Sequence, residues 1–130
     1  MFRKKKISLL IVEDESVLRG LLAKKLRKEG YVVTEADNGQ NGLEAALKGH
    51  PDLILLDIIM PRMNGVVLLK ELRGDEWGQT ANVMLLTNLS DAEGIEEARQ
   101  YCVMDYLVKS DWSLEELSRK IKAKLAASKP

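Results

Sequence analysis

Asp52-Leu-Ile-Leu-Leu-Asp57-Ile-Ile-Met-Pro61 decides the fold. The unbroken apolar run has the length and composition of a central strand buried on both faces. Asp57 closes it, and a carboxylate at the tip of a core strand is costly unless a cation, hydrogen bonds or a proton answers it. Three other apolar runs end in the same way. Ile7-Ser-Leu-Leu-Ile-Val12 leads into Glu13-Asp14, Val83-Met-Leu-Leu86 into Thr87, and Tyr106-Leu-Val108 into Lys109. Open parallel sheets bind ligands at the carboxyl ends of their strands, so three carboxylates, a hydroxyl and an ammonium could share one crevice.

On either side of this stretch, strand-length runs alternate with helical patterns. Strands are predicted near 7–12, 31–36, 53–57, 82–86 and 104–108, and helices near 15–29, 39–48, 65–73, 91–101 and 113–126. Val17, Leu18, Leu21, Leu22 and Leu26 predict one apolar face on the first helix, which Gly30 ends. Ser90-Asp-Ala-Glu93 and Ser113-Leu-Glu-Glu116 read as capping boxes, and Asn38-Gly39 and Asn64-Gly65 mark turns. Such alternation implies right-handed crossovers and a parallel sheet covered on both faces. The mixed run Tyr31-Val-Val-Thr-Glu-Ala36 suits an edge strand. Leu114, Leu117, Ile121 and Leu125 form a packing stripe in the otherwise basic last helix.

The chain has 130 residues, with 20 Lys plus Arg against 20 Asp plus Glu. One domain is expected across 1–130, with its core at about 7–126 and short tails at 1–6 and 127–130. A formal net charge of zero argues against a dedicated nucleic-acid binder. The single cysteine rules out an internal disulfide and points to reduced cytoplasm. Arg3-Lys4-Lys5-Lys6 before Ile7 faintly imitates a signal peptide, but the apolar run is short and acids follow at once. No stretch approaches the roughly 20 apolar residues of a membrane span.

Taken singly, each site residue has a plainer reading. Glu13-Asp14 could simply start the first helix, and Glu15 fits that role better. Thr87 could cap a loop, though Ser90 already does, and Lys109 could be a solvated lysine. Their common place at strand ends changes the balance. Three hard oxygen acids close together need a cation, and Mg²⁺ suits carboxylates, carbonyls and water. The alternative is one carboxylate that keeps its proton. His50, the only histidine, stands outside the constellation as a capping or surface residue, which disfavours zinc. A carboxylate beside Mg²⁺ can attack a phosphoryl group to form an aspartyl phosphate. In that reading Asp57 is the nucleophile. Glu13 and Asp14 hold the metal, Asp14 directly, and Thr87 and Lys109 hold the transferred group. Neither Gly-x-x-x-x-Gly-Lys-[Ser/Thr] nor Gly-x-Gly-x-x-Gly occurs, which disfavours nucleotide binding.

These residues resemble the receiver domain of two-component response regulators, in its single-domain chemotaxis form. The resemblance covers about residues 7–126. It rests on Val12-Glu13-Asp14-Glu15, Asp57-Ile-Ile-Met-Pro61 with Asn64-Gly65, Leu86-Thr87-Asn88, and Asp105-Tyr106-Leu-Val-Lys109. It implies a flavodoxin-like (βα)5 fold with sheet order 2-1-3-4-5. It implies a bacterial phosphoprotein that takes its phosphoryl group from a histidine kinase or phosphotransfer protein. Asp57 and the backbone carbonyl of Ile59 would join Glu13 and Asp14 as Mg²⁺ ligands, and Asn88 would join Thr87 and Lys109 around the phosphate. Phosphorylation would draw Thr87 inward with Tyr106 behind it, and residues 91–126 would present a changed face to a downstream protein. No membrane or nucleic-acid contact is implied, and the molecule would be a monomer or an activation-linked homodimer. It would not be an enzyme beyond catalysing its own phosphorylation and dephosphorylation.

Three departures from the family pattern stand out. Ser110 replaces the proline that usually follows the lysine. A cis bond there would cost roughly 2.5–4 kcal/mol, so either a trans loop with altered Lys109 placement or a strained cis bond is expected. The loop through Asp111-Trp112 is one residue longer, and Trp112 is expected to report phosphorylation. Cys102-Val103 replaces the usual Gly-Ala. Cys supports positive φ poorly, so the helix end is expected to differ, with Cys102 packed as a small apolar residue. Ile59 and Leu89 flank the path of hydrolytic water and cannot orient it, which predicts slow self-dephosphorylation. Tyr106 has a plainer reading as a core aromatic, and Trp77 is expected to fold over a neighbouring helix rather than anchor a partner.

Other readings remain open: a receiver cut from a longer regulator or hybrid kinase, or a constitutive interaction module. A Mg²⁺-dependent phosphohydrolase would need a second Asp where Ile58 and Ile59 stand, and a flavin site would meet repulsion from Glu13-Asp14-Glu15.

Overall fold

Alternating residues of the central strands divide the interior into two cores. In the computed structural model, which describes residues 6–60, 62–88, 92–109 and 113–127, the strands are β1 (Ser8–Val12), β2 (Val32–Ala36), β3 (Leu53–Asp57), β4 (Val83–Thr87) and β5 (Tyr106–Val108). The helices are α1 (Ser16–Lys28), α2 (Gly39–Gly49), α3 (Gly65–Arg73), α4 (Ala92–Arg99) and α5 (Leu114–Ala127). Leu10, Val12, Ile54, Leu56, Val83 and Leu85 point to one side of the sheet, against Ala46 of α2, Leu68, Leu69 and Leu72 of α3 and Ala98 of α4. Leu9, Ile11, Leu53, Leu55, Met84, Leu86 and Leu107 point to the other, against Leu22 and Leu26 of α1 and Leu117, Ile121 and Leu125 of α5. Successive strand side chains face opposite ways, so a strand buried on both faces must be apolar throughout.

All strand pairs are parallel, and the order is β2-β1-β3-β4-β5. The mixed strand β2 lies at an edge, as predicted, with Thr34 and Glu35 exposed. The predicted turns at Asn38 and Asn64 are helix caps: their side chains accept from the N–H groups of Asn41 and Val67 at 2.9 and 3.0 Å. Gly30 ends α1 at φ 99°. The Ser113 hydroxyl accepts from the Glu116 N–H at 3.2 Å, as its capping box predicts. The Ser90 box, the Leu89 position, the Lys109–Ser110 bond and Trp112 lie outside the described residues.

Three expectations are corrected, at α1, β5 and Cys102. Val17 and Leu21 are 75% and 52% exposed, and the buried arc of α1 runs instead through Leu22, Ala23 and Leu26. At 3.6 residues per turn, Leu21 and Val17 lie about 140° and 180° around the helix from Leu26, the middle of that arc, too far to share its face. Strand β5 begins at Tyr106 rather than 104, leaving Met104 exposed. A short 3-10 turn, Gly78–Thr80, precedes β4. Cys102 takes φ 63° without a glycine and is exposed rather than packed. Its N–H and that of Val103 close on the carbonyls of Arg99 and Ala98, so α4 ends in the turn a glycine would have made.

Two further contacts organise the lower end of the sheet. His50 caps α2 at φ 47° and stacks on Trp77 with ring centroids 4.3 Å apart. Trp77 thus folds over α2, as predicted. Arg73 donates to the carbonyls of Tyr101, Gly78 and Ala81 at 2.8, 2.7 and 2.8 Å, tying α3 to the segments before β4 and after α4. At the upper end, α4 approaches the residue after β3 so closely that a Cβ on Gly94 would lie 2.8 Å from Ile58 Cγ2.

Candidate functional site

The carboxyl ends of β1, β3, β4 and β5 converge as the strand tips predicted. Glu13 follows β1, held by its N–H donating to Ala36 of β2 at 3.0 Å. Its carboxylate is fully buried. One oxygen, Oε2, accepts from the Glu15 N–H at 3.1 Å. The other, Oε1, receives no hydrogen bond among the described residues, and the Lys109 ammonium 2.7 Å away is its charge partner. Asp57 ends β3 with only 2% of its surface exposed. Its Oδ2 lies 3.1 Å from Lys109 Nζ, and its Oδ1 accepts from the Ile59 N–H at 3.3 Å. The loop after β3 therefore folds back over the carboxylate. Asp14 is exposed and forms the solvent side of the cluster.

Glu13, Asp14 and Asp57 each offer an oxygen, and these oxygens all lie within 4.8 Å of one another. Against one ammonium, three ionised carboxylates leave a formal charge of −2 (three of −1, one of +1). Burial and the Glu13 charge push the Asp57 carboxyl up from 3.8 to about 7, and Lys109 opposes them only in part. Burial alone would lower the Lys109 ammonium, but Glu13 and Asp57 override it and raise it. The cluster is thus short of positive charge. The donors are all hard oxygens, one carboxylate opens to water, and among the described residues Glu13 Oε1 has only the Lys109 ammonium to answer it. Such a set fits Mg²⁺, which takes carboxylates and keeps several waters.

Thr87 is buried at the end of β4, and its hydroxyl donates to the Asn88 carbonyl at 3.0 Å. Its own carbonyl accepts from the Lys109 N–H at 2.6 Å, so the end of β4 carries the lysine beside the acids. Asn88 is exposed next to Thr87. Ile59 lies in the loop after Asp57 with its side chain 62% exposed. Tyr106 is not a core aromatic. It is 36% exposed on β5, because the alternation buries Leu107 instead. Lys120 of α5 donates to its carbonyl at 2.7 Å and sits 5.9 Å from its ring centre.

One contributor left no sequence signal. Arg19 of α1 donates to the Glu13 carbonyl at 2.8 Å. An arginine on the exposed part of an amphipathic helix looks like any solvated charge, and only the fold brings it to the acidic loop.

The chain matches the response regulator receiver domain family over residues 9–122. It is 41% identical to the transcriptional regulatory protein PdtaR of Mycobacterium tuberculosis over 101 residues, which are 77% of this chain and 48% of that protein. It is 41% identical to the transcriptional regulatory protein CusR of Escherichia coli over 113 residues, 87% of this chain and 49% of that protein. The chain spans about half the length of the curated relatives it matches. Among solved structures, the chemotaxis response regulator CheY4 of Vibrio cholerae superposes with a TM-score of 0.84 at 26% identity, covering 92% of this chain and 99% of that one. The receiver domain of a sensor histidine kinase from Pseudomonas aeruginosa, whose structure has a magnesium ion coordinated in the active-site cleft, superposes with a TM-score of 0.84 at 28% identity, covering 94% and 99%.

Proposed function

The chain belongs to the receiver domain family of response regulators, and on that premise we propose that Asp57 accepts a phosphoryl group from a phosphohistidine on a histidine kinase or phosphotransfer protein. One observation carries the reading: a buried carboxylate at a strand end, within metal-sharing distance of Glu13 and Asp14, with an ammonium 3.1 Å away.

Glu13, Asp14, Asp57 and the Ile59 carbonyl would hold Mg²⁺, with Asp14 in direct contact. The bound ion would supply positive charge to the carboxylates and to the phosphoryl oxygens. A carboxylate oxygen of Asp57 attacks phosphorus, the P–N bond to the donor imidazole breaks, and its electron pair stays on that nitrogen. Lys109 keeps Asp57 and Glu13 together before the transfer and then neutralises a phosphoryl oxygen. Thr87 turns its hydroxyl from the Asn88 carbonyl toward the new phosphate, with Asn88 at the rim. Tyr106, outward in this structure, follows Thr87 inward, and the change on α4, β5 and α5 is read by a downstream protein. The domain is a phosphoacceptor that catalyses only its own phosphorylation and dephosphorylation. It works in the cytoplasm, as a monomer or as a homodimer formed on activation.

The test is intact mass after incubation with acetyl phosphate or a phosphorylated donor protein, with and without Mg²⁺. One Mg²⁺-dependent phosphoryl group, absent from Asp57→Ala, is the expected result. No adduct from either donor, together with no Mg²⁺ binding, would replace this reading with a constitutive interaction module.

A further inference from the structure

We infer that Arg19 is a positioning residue: it fixes the backbone of the acidic loop so that Glu13 and Asp14 are placed to share a divalent cation with Asp57. The inference rests on the metal-binding part of the proposed function.

Beyond Val12, which pairs with Ala36, β1 has no further rung of ladder to hold it. Glu13 is held by two bonds instead. Its N–H donates to the Ala36 carbonyl at 3.0 Å, and its carbonyl accepts from Arg19 Nη1 at 2.8 Å. With both backbone groups tied, the direction in which Cα presents the Glu13 side chain is set, and the side chain is fully buried in the cleft. The guanidinium is itself fixed. Its Nε donates to Glu35 Oε1 at 3.3 Å, and the other oxygen of Glu35 accepts from Arg27 Nη1 at 3.2 Å. Arg27 is in turn tied to the Val33 carbonyl at 2.9 Å. A continuous set of bonds thus runs from edge strand β2 through Glu35 and Arg19 to the loop.

Arg19 could act in two ways with opposite signs. As a nearby positive charge it would repel a cation and weaken binding. As a positioning group it would strengthen binding, since groups that orient metal ligands matter nearly as much as the ligands. Glu35 and Arg19 are only partly exposed and 3.3 Å apart, so much of the guanidinium charge is already answered. The fork geometry, which reaches a carbonyl and a carboxylate at once, is what remains.

The experiment measures Mg²⁺ affinity by titration calorimetry for wild type, Arg19→Met, Arg19→Lys and Glu35→Gln. Alongside it, hydrogen exchange at the Glu13 and Glu15 amides is measured in metal-free protein. Arg19→Met and Arg19→Lys should each weaken Mg²⁺ by about ten-fold, since lysine keeps the charge but lacks the fork. Exchange at Glu13 and Glu15 should rise about ten-fold while Leu85, in the middle of β4 with its N–H on the Asp105 carbonyl at 3.0 Å, keeps its protection. Glu35→Gln should move both readouts the same way by a smaller factor. Tighter Mg²⁺ binding by Arg19→Met with unchanged exchange would leave Arg19 as a charge alone and overturn the inference. Affinity and exchange both unchanged would overturn it as well. If wild type binds no Mg²⁺, the metal reading fails, and unchanged exchange would still reject the positioning role.

Discussion

Replacing Asp57 by Asn should make the fold more stable, because the wild-type carboxyl is held away from its ordinary ionisation. In the folded cleft it titrates at about 7 rather than 3.8, chiefly through burial and the Glu13 charge. At full strength that difference is worth roughly 4 kcal/mol. Water reaching the cleft past exposed Asp14 screens it, which leaves about 1–2 kcal/mol. Asn keeps an oxygen to accept the Ile59 N–H, and Lys109 keeps Glu13 at 2.7 Å, so no buried charge is orphaned. The pH dependence has a defined sign. A carboxyl raised in the folded state binds more protons there than in the unfolded chain, so its contribution is present below 3.8 and is lost as pH rises toward 7. Urea unfolding followed by circular dichroism, without divalent ions, should show Asp57→Asn ahead by about 1–2 kcal/mol at pH 7.5, with the gap closing near pH 4. Adding Mg²⁺ should stabilise wild type more than the variant. A variant no more stable than wild type at pH 7.5, or a gap independent of pH, would mean that the Asp57 carboxyl is not strained by burial in the cleft.

Three other outcomes can be checked directly. Ile59→Asn, alone or with Leu89→Glu, should shorten the lifetime of the aspartyl phosphate, followed by loss of the phosphorylated mass after the donor is removed. Arg73→Ala should lower stability by about 3–5 kcal/mol in urea titrations, since it leaves three carbonyls without the one guanidinium that serves them. Val17→Asn and Leu21→Asn should change stability by less than about 0.5 kcal/mol, because both side chains stand in water.

The sheet and most of the site were legible because each signal came from two levels at once. Asp57, Glu13 and Lys109 are charged residues at the ends of apolar runs, and a parallel sheet brings such ends together. Helix α1 was read less well. Its five apolar residues exceed what one face can bury, and periodicity alone cannot say which of them face the sheet. Cys102 departs from its expected conformation because a turn closed by backbone bonds can hold a non-glycine residue at positive φ. Arg19 could not be found at all: its role depends on β2 and α1 meeting beside the acidic loop, which no local pattern encodes. Tyr106 was placed by the alternation of β5, whose start lay two residues later than predicted.

The close approach of Gly94 to Ile58 bears on how this chain can vary. The two positions share one volume: residue 58 fills the space that a side chain at 94 would occupy, with a Cβ there only 2.8 Å from Ile58 Cγ2. Change at either is therefore conditional on the other. In a randomised library at both sites, alanine at 94 should survive mainly with a smaller residue at 58, while Ile58 should select glycine. Since residue 58 adjoins Asp57, the proposed phosphoacceptor, substitution on α4 is constrained by packing against the site itself.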